Sequence, residues 1–318
     1  MPLHLRIRVE ADVPIATLDG FDRQLLRKLR RKGVPCAITR GLACVEFGVV
    51  ANTEDCDLVC APGSAWTLLE TLSVSSFRGR PCRYRGALSA PLAKPWLAGG
   101  WTSHFSWGGR ADVSPFLDVF GTPPRVTGSW QRRVRGLFAD RQTVAEMKRT
   151  RRHKDWDQAT ALGLQTLKAG QPEGWLHIFD AETLTRLAES VPCPKRCVSR
   201  RPVLRLALDK SPWLDRAVRI EIEFWSHLDR LRLMAYRTSG RDYALAIFKD
   251  KRLNHAPLLE QHALRLEYAR RLLPTHPLRA LGLEEITSRA REATLLGIDP
   301  ALAEWLPDVT AHFAGKLM

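Results

Sequence analysis

The apolar and polar positions in the N-terminal part of the chain follow strand and helix periods in turn. Residues 3–10 (LHLRIRVE) alternate apolar and polar, which predicts a half-buried strand. From Leu18 to Lys32 the apolar residues fall on one helical face, and Gly33 is a typical residue after a helix end. The elements predicted next are a strand at Pro35–Thr39, a turn at Arg40 and Gly41, a helix at Leu42–Phe47, a strand at Glu54–Cys60, and a helix at Ala65–Leu72 with Ser64 as its N-cap.

Beyond residue 78 the strand signals become shorter and helical signals then dominate. Short strands are predicted at Cys82–Tyr84 and Trp101–Trp107, and a stronger one at Pro115–Gly121 (PFLDVFG). The elements predicted after Trp130 are helices at Thr143–Gly170, Ala181–Ser190, Pro257–Leu273 and Leu283–Leu296, and short strands at Arg205–Leu208 and Arg219–Phe224. The segment Val191–Pro202 contains three Pro and several basic residues, which is typical of a linker.

These patterns favour an α+β protein, in which a small mixed β-sheet flanked by helices precedes a mainly helical C-terminal region. We expect three domains: residues 1–130 with the sheet, residues 131–190 as a basic helical region, and residues 191–318 as a mainly helical C-terminal domain. The middle region carries most of its charge between Gln131 and Lys154, with nine Lys and Arg against two acidic residues.

The net charge indicates a class of partner. The chain of 318 residues has a formal charge of +15, which attracts polyanions, although a general Arg-rich composition accounts for it equally well. No stretch reaches the roughly 18–20 apolar residues that span a bilayer, and the first residues lack the apolar segment of a signal peptide. We therefore expect a cytoplasmic protein without a membrane partner, whose seven Cys are thiols. The Cys56/Cys60 and Cys193/Cys197 spacings disfavour a zinc site.

Two carboxylates on one predicted strand form the candidate chemical site. Asp55 and Asp57 are two residues apart, so their side chains point to the same face, while Cys56 points into the core. Asp118 lies in the middle of another predicted strand, where an unpaired carboxylate is costly to bury. Because Mg²⁺ is commonly held by one or two carboxylates and substrate phosphates, these three residues are candidate metal ligands.

The turn Thr39-Arg40-Gly41 connects a predicted strand to a helix, where free N–H groups can bind phosphate. Gly41 would let a phosphate approach the backbone closely. Each feature alone has a simpler explanation, since an Asp-x-Asp pair is commonly a solvated turn and Asp118 can pair with an Arg. Their order along the chain favours metal-dependent phosphate chemistry.

With these residues in this order, the chain resembles the polymerase β-type nucleotidyltransferase superfamily, and within it the abortive-infection type of nucleotidyltransferase toxins. The stretch ITRGLACVEFGVVANTEDCDLV is similar to the family pattern of a Gly-containing turn, a short helix and a Thr-x-Asp-x-Asp strand. The matching positions there are Gly41, Thr53, Asp55, Asp57 and Leu58. A second stretch, EMKRTRRHKDWDQATAL, is similar to a family helix, with matches at Lys148, Arg152, Lys154 and Asp155.

The resemblance covers about residues 30–165 and implies a nucleotidyltransferase fold, with residues 131–190 completing the active-site cleft. It implies that Asp55, Asp57 and Asp118 bind two Mg²⁺ ions, or Mn²⁺, and are catalytic, with Asp118 accepting the proton of the attacking hydroxyl. The residues implied to bind the nucleotide are Arg40, Gly41, Thr53, Lys148, Arg152 and Lys154. A solvated helix surface explains the last three equally well. Arg40 and Ala51 depart from the family, which usually has Gly and Arg at those positions.

We therefore expect transfer of an NMP from an NTP to a hydroxyl acceptor. RNA, with tRNA 3′ ends foremost, is the acceptor that the resemblance implies, and a protein hydroxyl or a small molecule remains open. The resemblance also implies a toxin role in a toxin–antitoxin or phage-defence system, with an antitoxin protein as partner. The alternatives are a non-catalytic nucleotide- or RNA-binding protein on the same fold and a two-metal hydrolase such as a nuclease. Trp101, His104 and Trp107 lie near the expected cleft by sequence order, but core packing explains them.

Overall fold

A seven-stranded mixed sheet lies at the centre of the N-terminal half, and helices continue through the C-terminal half. The computed structural model describes residues 15–53, 55–108 and 114–309. The protein is α+β, as the sequence predicts, and the strand predicted at residues 3–10 lies outside the described residues. Within the described part of the chain, no helix is long and apolar enough to cross a bilayer.

The strand order in the sheet is β5-β6-β7-β2-β1-β9-β8, with parallel pairing between β2 and β7 and between β1 and β9. The strands are β1 (Cys36–Thr39), β2 (Asp55–Cys60), β3 (Ser76–Phe77), β4 (Arg80–Pro81), β5 (Arg83–Tyr84), β6 (Thr102–Ser106), β7 (Phe116–Phe120), β8 (Val134–Arg135) and β9 (Phe138–Ala139). Strands β3 and β4 form a separate hairpin. The five strands predicted between residues 35 and 121 are confirmed as β1, β2, β5, β6 and β7.

The helices carry most of the remaining chain. They are α1 (Ile15–Arg31), α2 (Arg40–Glu46), α3 (Ala65–Ser73), α4 (Lys94–Ala98), α5 (Arg141–Met147), α6 (His153–Lys168), α7 (Ala181–Ser190), α8 (Lys195–Arg200), α9 (Val203–Leu208), α10 (Leu214–Ser239), α11 (Arg241–Lys249), α12 (Leu258–Leu272), α13 (Pro277–Leu281) and α14 (Leu283–Leu295). The helices predicted at Leu18–Lys32, Leu42–Phe47 and Ala65–Leu72 are confirmed as α1, α2 and α3, and three predicted later are confirmed as α7, α12 and α14. Ser64 is the N-cap residue of α3, but its side chain makes no capping hydrogen bond.

The single helix predicted over Thr143–Gly170 is wrong, because the chain breaks it into α5 and α6. In the break, the hydroxyl of Thr150 accepts a hydrogen bond from the Arg152 N–H at 3.1 Å and donates one to Asp155. A Thr side chain that hydrogen-bonds nearby groups in this way competes with the backbone hydrogen bonds of a helix. No apolar residue lies between Met147 and Trp156, so the interruption of the apolar period was a usable signal for the break.

The two strands predicted in the C-terminal half are also wrong. Arg205–Leu208 lies in α9, and Arg219–Phe224 lies in α10, a helix of 26 residues. Six alternating residues resemble a strand, whereas the longer helical stripe extends from Leu214 through Val218 to Leu228. The linker predicted at Val191–Pro202 is wrong too, since it contains α8.

Helix α10 connects the helical half to the sheet. Its first turns pack on α7 and α9 and its middle packs on α14. In its last turns, the ring of Tyr236 packs edge-on against Trp101, and its hydroxyl donates to the Gly99 carbonyl oxygen at 2.7 Å. Helix α12 adds a second connection, because Arg265 donates to the Ser89 carbonyl oxygen at 2.8 Å. The division into three domains stays a prediction.

A buried ion pair lies where the sheet, α5 and α10 meet. Arg125 donates to the Asp229 carboxylate at 2.6 Å and to the Met147 carbonyl oxygen at 2.8 Å. Both side chains are almost fully buried. Burial raises the pKa of Asp229, but Arg125 and then Arg232 outweigh that effect and bring it down to about 2.

Removing one partner of this pair should be costly. We expect Asp229→Ala to lower the free energy of unfolding by about 3–5 kcal/mol, because it leaves the Arg125 charge buried without its counter-charge. Urea denaturation at pH 7.5 measures this change. Asp242→Ala, at an exposed position of α11, is the matched control and should change stability by less than about 0.5 kcal/mol. Equal effects of the two variants would contradict the role of the ion pair.

Candidate active site

The pairing of β2 with β7 brings the three predicted carboxylates together. Asp57 is the direct register partner of Asp118, and Asp55 pairs with Phe116 two positions earlier. In a parallel pair, register partners point to the same face, and neighbouring strands are only about 4.8 Å apart. Cys56 is buried, as predicted for the opposite face. We call Asp55, Asp57 and Asp118 the carboxylate row.

The neighbouring strands β6 and β1 each place one residue in register with the row. On the side of β6, His104 is the register partner of Asp118, and on the side of β1, Thr39 is the register partner of Asp57. The turn at Arg40 and Gly41 therefore begins directly beside Asp57. A nucleotide-binding turn and a carboxylate pair were predicted from separate stretches of sequence, and here they lie side by side.

Asp57 is the buried member of the row, with its side chain 11 % exposed. Burial is the largest effect on the pKa of Asp57 and raises it. Arg40 acts to lower it, Asp118 and Asp55 act to raise it, and Lys148 acts to lower it, so that the pKa is about 6. Arg40 Nη1 lies 3.3 Å from the Asp57 carboxylate. The Asp57 charge is thus only partly compensated by the surrounding cations.

Asp118 is more fully compensated. Its Oδ1 accepts hydrogen bonds from His104 Nδ1 at 2.6 Å and from Arg85 Nη2 at 2.8 Å. Burial acts to raise the pKa of Asp118, but the hydrogen bonds and charges of His104 and Arg85 outweigh it and hold the pKa below its usual value. Asp118 is therefore ionised at neutral pH, and His104 Nδ1 must be the donor in their hydrogen bond.

Two phenylalanines hold the arginines over the row. Phe116 and Phe120 lie two residues before and after Asp118, so all three side chains share one face of β7. The guanidinium of Arg85 lies over the Phe116 ring at 4.6 Å, and that of Arg40 lies over the Phe120 ring at 4.5 Å. Such stacking orients each guanidinium and contributes roughly 0.5–2 kcal/mol.

The backbone of Arg40 is left-handed at this position. It begins α2 with a φ of +52°, a conformation that costs a non-glycine residue roughly 1–2 kcal/mol. The resembling family usually has Gly at this position. The next residue, Gly41, is needed for packing, because a Cβ there would lie 2.4 Å from the Thr53 hydroxyl oxygen. The predicted nucleotide-binding residues Arg40, Gly41 and Thr53 therefore lie together beside Asp57.

Three basic residues in EMKRTRRHKDWDQATAL were predicted to bind the nucleotide, and they lie in different surroundings. Lys148 is buried and lies 3.2 Å from Asp155, and its charge acts to lower the pKa of Asp57. Arg152 is half-exposed and binds Asp155 at 2.7 Å, at one remove from the row. Lys154 is exposed, and no contact within the described residues connects it to the row.

Four residues of the site were missed by sequence reasoning as functional residues. His104 and Arg85 bind Asp118, while Arg232 and Arg237 of α10 line a cleft beside it. A histidine in a predicted strand was a usable signal for His104, but only the register with β7 reveals its partner. Trp107 is fully buried and Trp101 nearly so, which agrees with core packing.

The carboxylate oxygens of the row suit a divalent cation, but positive side chains already contact those of Asp57 and Asp118. Within residues 15–53, 55–108 and 114–309, no group of three or more His, Cys, Asp or Glu side chains is arranged to hold a metal ion. Arg40, Arg85 and His104 contact the oxygens of Asp57 and Asp118 that such an ion would use. The buried, incompletely compensated charge of Asp57 is the feature that fits a cation best.

Asp57→Asn should stabilise the folded protein at neutral pH. The folded-state pKa of about 6 lies above the ordinary value of 3.8, so the buried charge costs stability fully above pH 6, and the cost disappears below about pH 4. We expect a gain of about 1–3 kcal/mol at pH 7.5 and none at pH 4, measured by urea denaturation at both pH values. Asp157→Asn, at an exposed position of α6, is the control. A loss of stability in Asp57→Asn at pH 7.5 would show that the pairing with Arg40 outweighs the cost of burial.

Comparison with protein-family models, with curated proteins and with solved structures gives no match for this chain. The resemblance to nucleotidyltransferases therefore rests on the sequence motifs. The carboxylate row, the turn beside it and the surrounding cations are the structural features that bear on function.

Proposed function

We propose that this protein is a divalent-metal-dependent nucleotidyltransferase that moves an NMP from an NTP to a hydroxyl acceptor. The observation that carries the proposal is the direct register of Asp57 with Asp118, with Asp55 on the same face. The order of elements also supports it, since β1, the turn at Gly41, α2, the Asp-x-Asp strand β2 and the later Asp strand β7 follow the order of the motifs that carry the family resemblance.

The cations beside Asp57 suit the triphosphate. Arg40 Nη1 lies 3.3 Å from the Asp57 carboxylate, and the charge of Lys148 also acts on Asp57. Helix α2 has only seven residues, so its dipole contributes little, and side-chain charge does most of the binding. Arg40 would leave Asp57 when a cation binds there, and its guanidinium would pair with a phosphate instead.

Asp55, Asp57 and Asp118 would hold Mg²⁺ or Mn²⁺, which when bound neutralises the phosphates and lowers the pKa of the acceptor hydroxyl. Asp118 is a weak proton acceptor, because its pKa is held low. His104 is better suited, since its Nδ1 donates to Asp118 and its Nε2 keeps a lone pair in the neutral ring. His104 would then take the hydroxyl proton, and Asp118 would orient the ring.

A second candidate is a non-catalytic protein that binds nucleotide or RNA on the same fold. It is favoured by one observation, namely that Arg40, Arg85 and His104 already contact the carboxylates of Asp57 and Asp118. The basic charge of +15 suits RNA under either proposal. Metal-dependent pyrophosphate release from NTP separates the two candidates, and label transfer to an acceptor separates both from a hydrolase.

A toxin role with an antitoxin partner belongs to the proposal only through the family resemblance. Its direct measure is growth arrest when the chain is expressed, and relief of that arrest by the product of a neighbouring gene. Toxicity that persists in Asp57→Asn would separate such a role from nucleotidyl transfer.

Loss of either carboxylate of β2 should abolish transfer. We expect Asp55→Asn and Asp57→Asn each to lower transfer by at least about a hundredfold while the far-UV circular dichroism stays unchanged, because each removes a metal ligand. The assay is incorporation of label from α-³²P-NTP into total RNA with Mg²⁺ or Mn²⁺. Asp157→Asn should retain full activity. Transfer that survives both substitutions in β2 would reject the proposal.

His104→Gln should slow the chemical step selectively. We expect kcat to fall by about 10²–10⁴-fold, because general base catalysis contributes that much, while Mn²⁺ affinity measured by electron paramagnetic resonance stays unchanged. His255→Gln, at an exposed position, is the matched control. An unchanged kcat would assign the proton transfer to another group.

A further inference from the structure

A cleft of about 270 Å³ opens beside Asp118, between the β6–β7 side of the sheet and the last turns of α10. Its lining includes Trp101, His104, Phe120, Arg232 and Arg237. Arg40, which is one of the two cations proposed for the triphosphate, also lines the cleft, whereas Lys148 does not. Arg232 and Arg237 of α10 are the arginines of the cleft that the proposed triphosphate site does not use.

The charge of the cleft suits an anion. Arg40, Arg232 and Arg237 line it, against the single carboxylate of Asp118. Arg40 and Arg232 each have one acidic partner outside the lining, namely Asp57 at 3.3 Å and Asp229 at 3.3 Å. Arg237 is exposed, and in the part of the chain that the structure describes no ion pair occupies it. The lining therefore carries a net positive charge, and Arg237 is the cation available to a ligand.

The floor of the cleft is apolar and rigid. Tyr236 is held by its hydrogen bond to the Gly99 carbonyl oxygen and by its edge-on contact with Trp101, at 4.9 Å between ring centroids. A Cβ at Gly100 would lie 2.3 Å from the Tyr236 hydroxyl oxygen, so the absence of a side chain there lets the two segments meet. An apolar floor with charged groups at its rim is typical of a pocket for a small anionic organic molecule.

We propose that this cleft is the acceptor subsite, and that it takes a hydroxyl-bearing phosphate ester whose phosphate is bound by Arg232 and Arg237. This inference rests on the proposed nucleotidyl transfer and names its acceptor class. The volume is near the lower end of the roughly 300–1,000 Å³ of small-molecule pockets, so it accommodates about one nucleotide-sized group. A free phosphate ester and the end of a nucleic acid strand share this chemistry.

The position of the subsite fits the direction of the reaction. The acceptor hydroxyl oxygen would form a bond to the α-phosphorus of the NTP held by Arg40 and Lys148, and its proton would pass to His104 Nε2. The bond between the α-phosphorus and the bridging oxygen would break, and pyrophosphate would leave with the electron pair. Arg232 and Arg237 would contact the acceptor phosphate and not the NTP, so they would set acceptor affinity.

The test measures binding without turnover. Adenosine 5′-monophosphate and a short single-stranded oligoribonucleotide with a free 3′-hydroxyl are each titrated by calorimetry into wild-type protein, Arg237→Gln and Arg230→Gln. Arg230 is exposed on the same helix but does not line the cleft, so it controls for the loss of one surface charge. Arg237 is exposed as well, so its substitution leaves the fold intact.

We expect Arg237→Gln to weaken binding about tenfold to a hundredfold, because it removes charged hydrogen bonds to phosphate, and Arg230→Gln to change it less than about twofold. Equal effects of the two variants, or no binding of either probe to wild-type protein, would overturn the subsite. Binding of the monophosphate as tightly as the oligonucleotide supports a free phosphate ester as acceptor, and binding of the oligonucleotide alone supports a strand end.

The outcome for the subsite is independent of the outcome for transfer. Selective weakening by Arg237→Gln in a protein that transfers no NMP would keep the anion subsite and reject the nucleotidyltransferase proposal. In an active protein, Arg237→Gln should raise the acceptor KM and leave kcat and the NTP KM unchanged. A fall in kcat alone would contradict a role limited to acceptor binding.

Discussion

The pairing of β2 with β7 in direct register is the constraint on which the site depends. It places Asp57 beside Asp118 on one face of the sheet, at the spacing of neighbouring strands. Two carboxylates at that distance repel each other, and burial strengthens the repulsion because the surroundings screen it poorly. Positive groups must therefore gather around the pair, which explains the convergence of Arg40, Arg85 and His104 on it.

This arrangement is kept at a cost in stability. The pKa of Asp57 is raised to about 6, and Arg40 takes a left-handed backbone conformation to reach it. A protein interior built only for stability would replace such a cluster with apolar side chains. Buried groups with perturbed pKa values and a strained residue at one place are typical of functional sites, where electrostatic conflict is relieved by a ligand.

Helix α10 brings residues of the C-terminal half of the chain to the site on the sheet. Its last turns supply Arg232 and Arg237 to the cleft, while Asp229 on the same helix anchors it to Arg125 beside the sheet. The buried ion pair thus fixes the helix whose cations line the cleft. A local sequence window around the carboxylates contains none of the three α10 residues, because Asp229, Arg232 and Arg237 lie more than a hundred positions further along the chain.

The sequence by itself determined the elements around the carboxylates, because periods of 2 and 3.6 residues depend only on local geometry. Asp55 and Asp57 on one face, Cys56 in the core and a strand around Asp118 could all be read in this way. Short sequence windows failed where a side-chain hydrogen bond or a longer pattern decides, as in the break at Thr150 and the helix over Arg219–Phe224. Only the tertiary structure decided that β2 pairs with β7 in register and that His104 meets Asp118, because strand partners and register arise from the packing of segments remote in sequence.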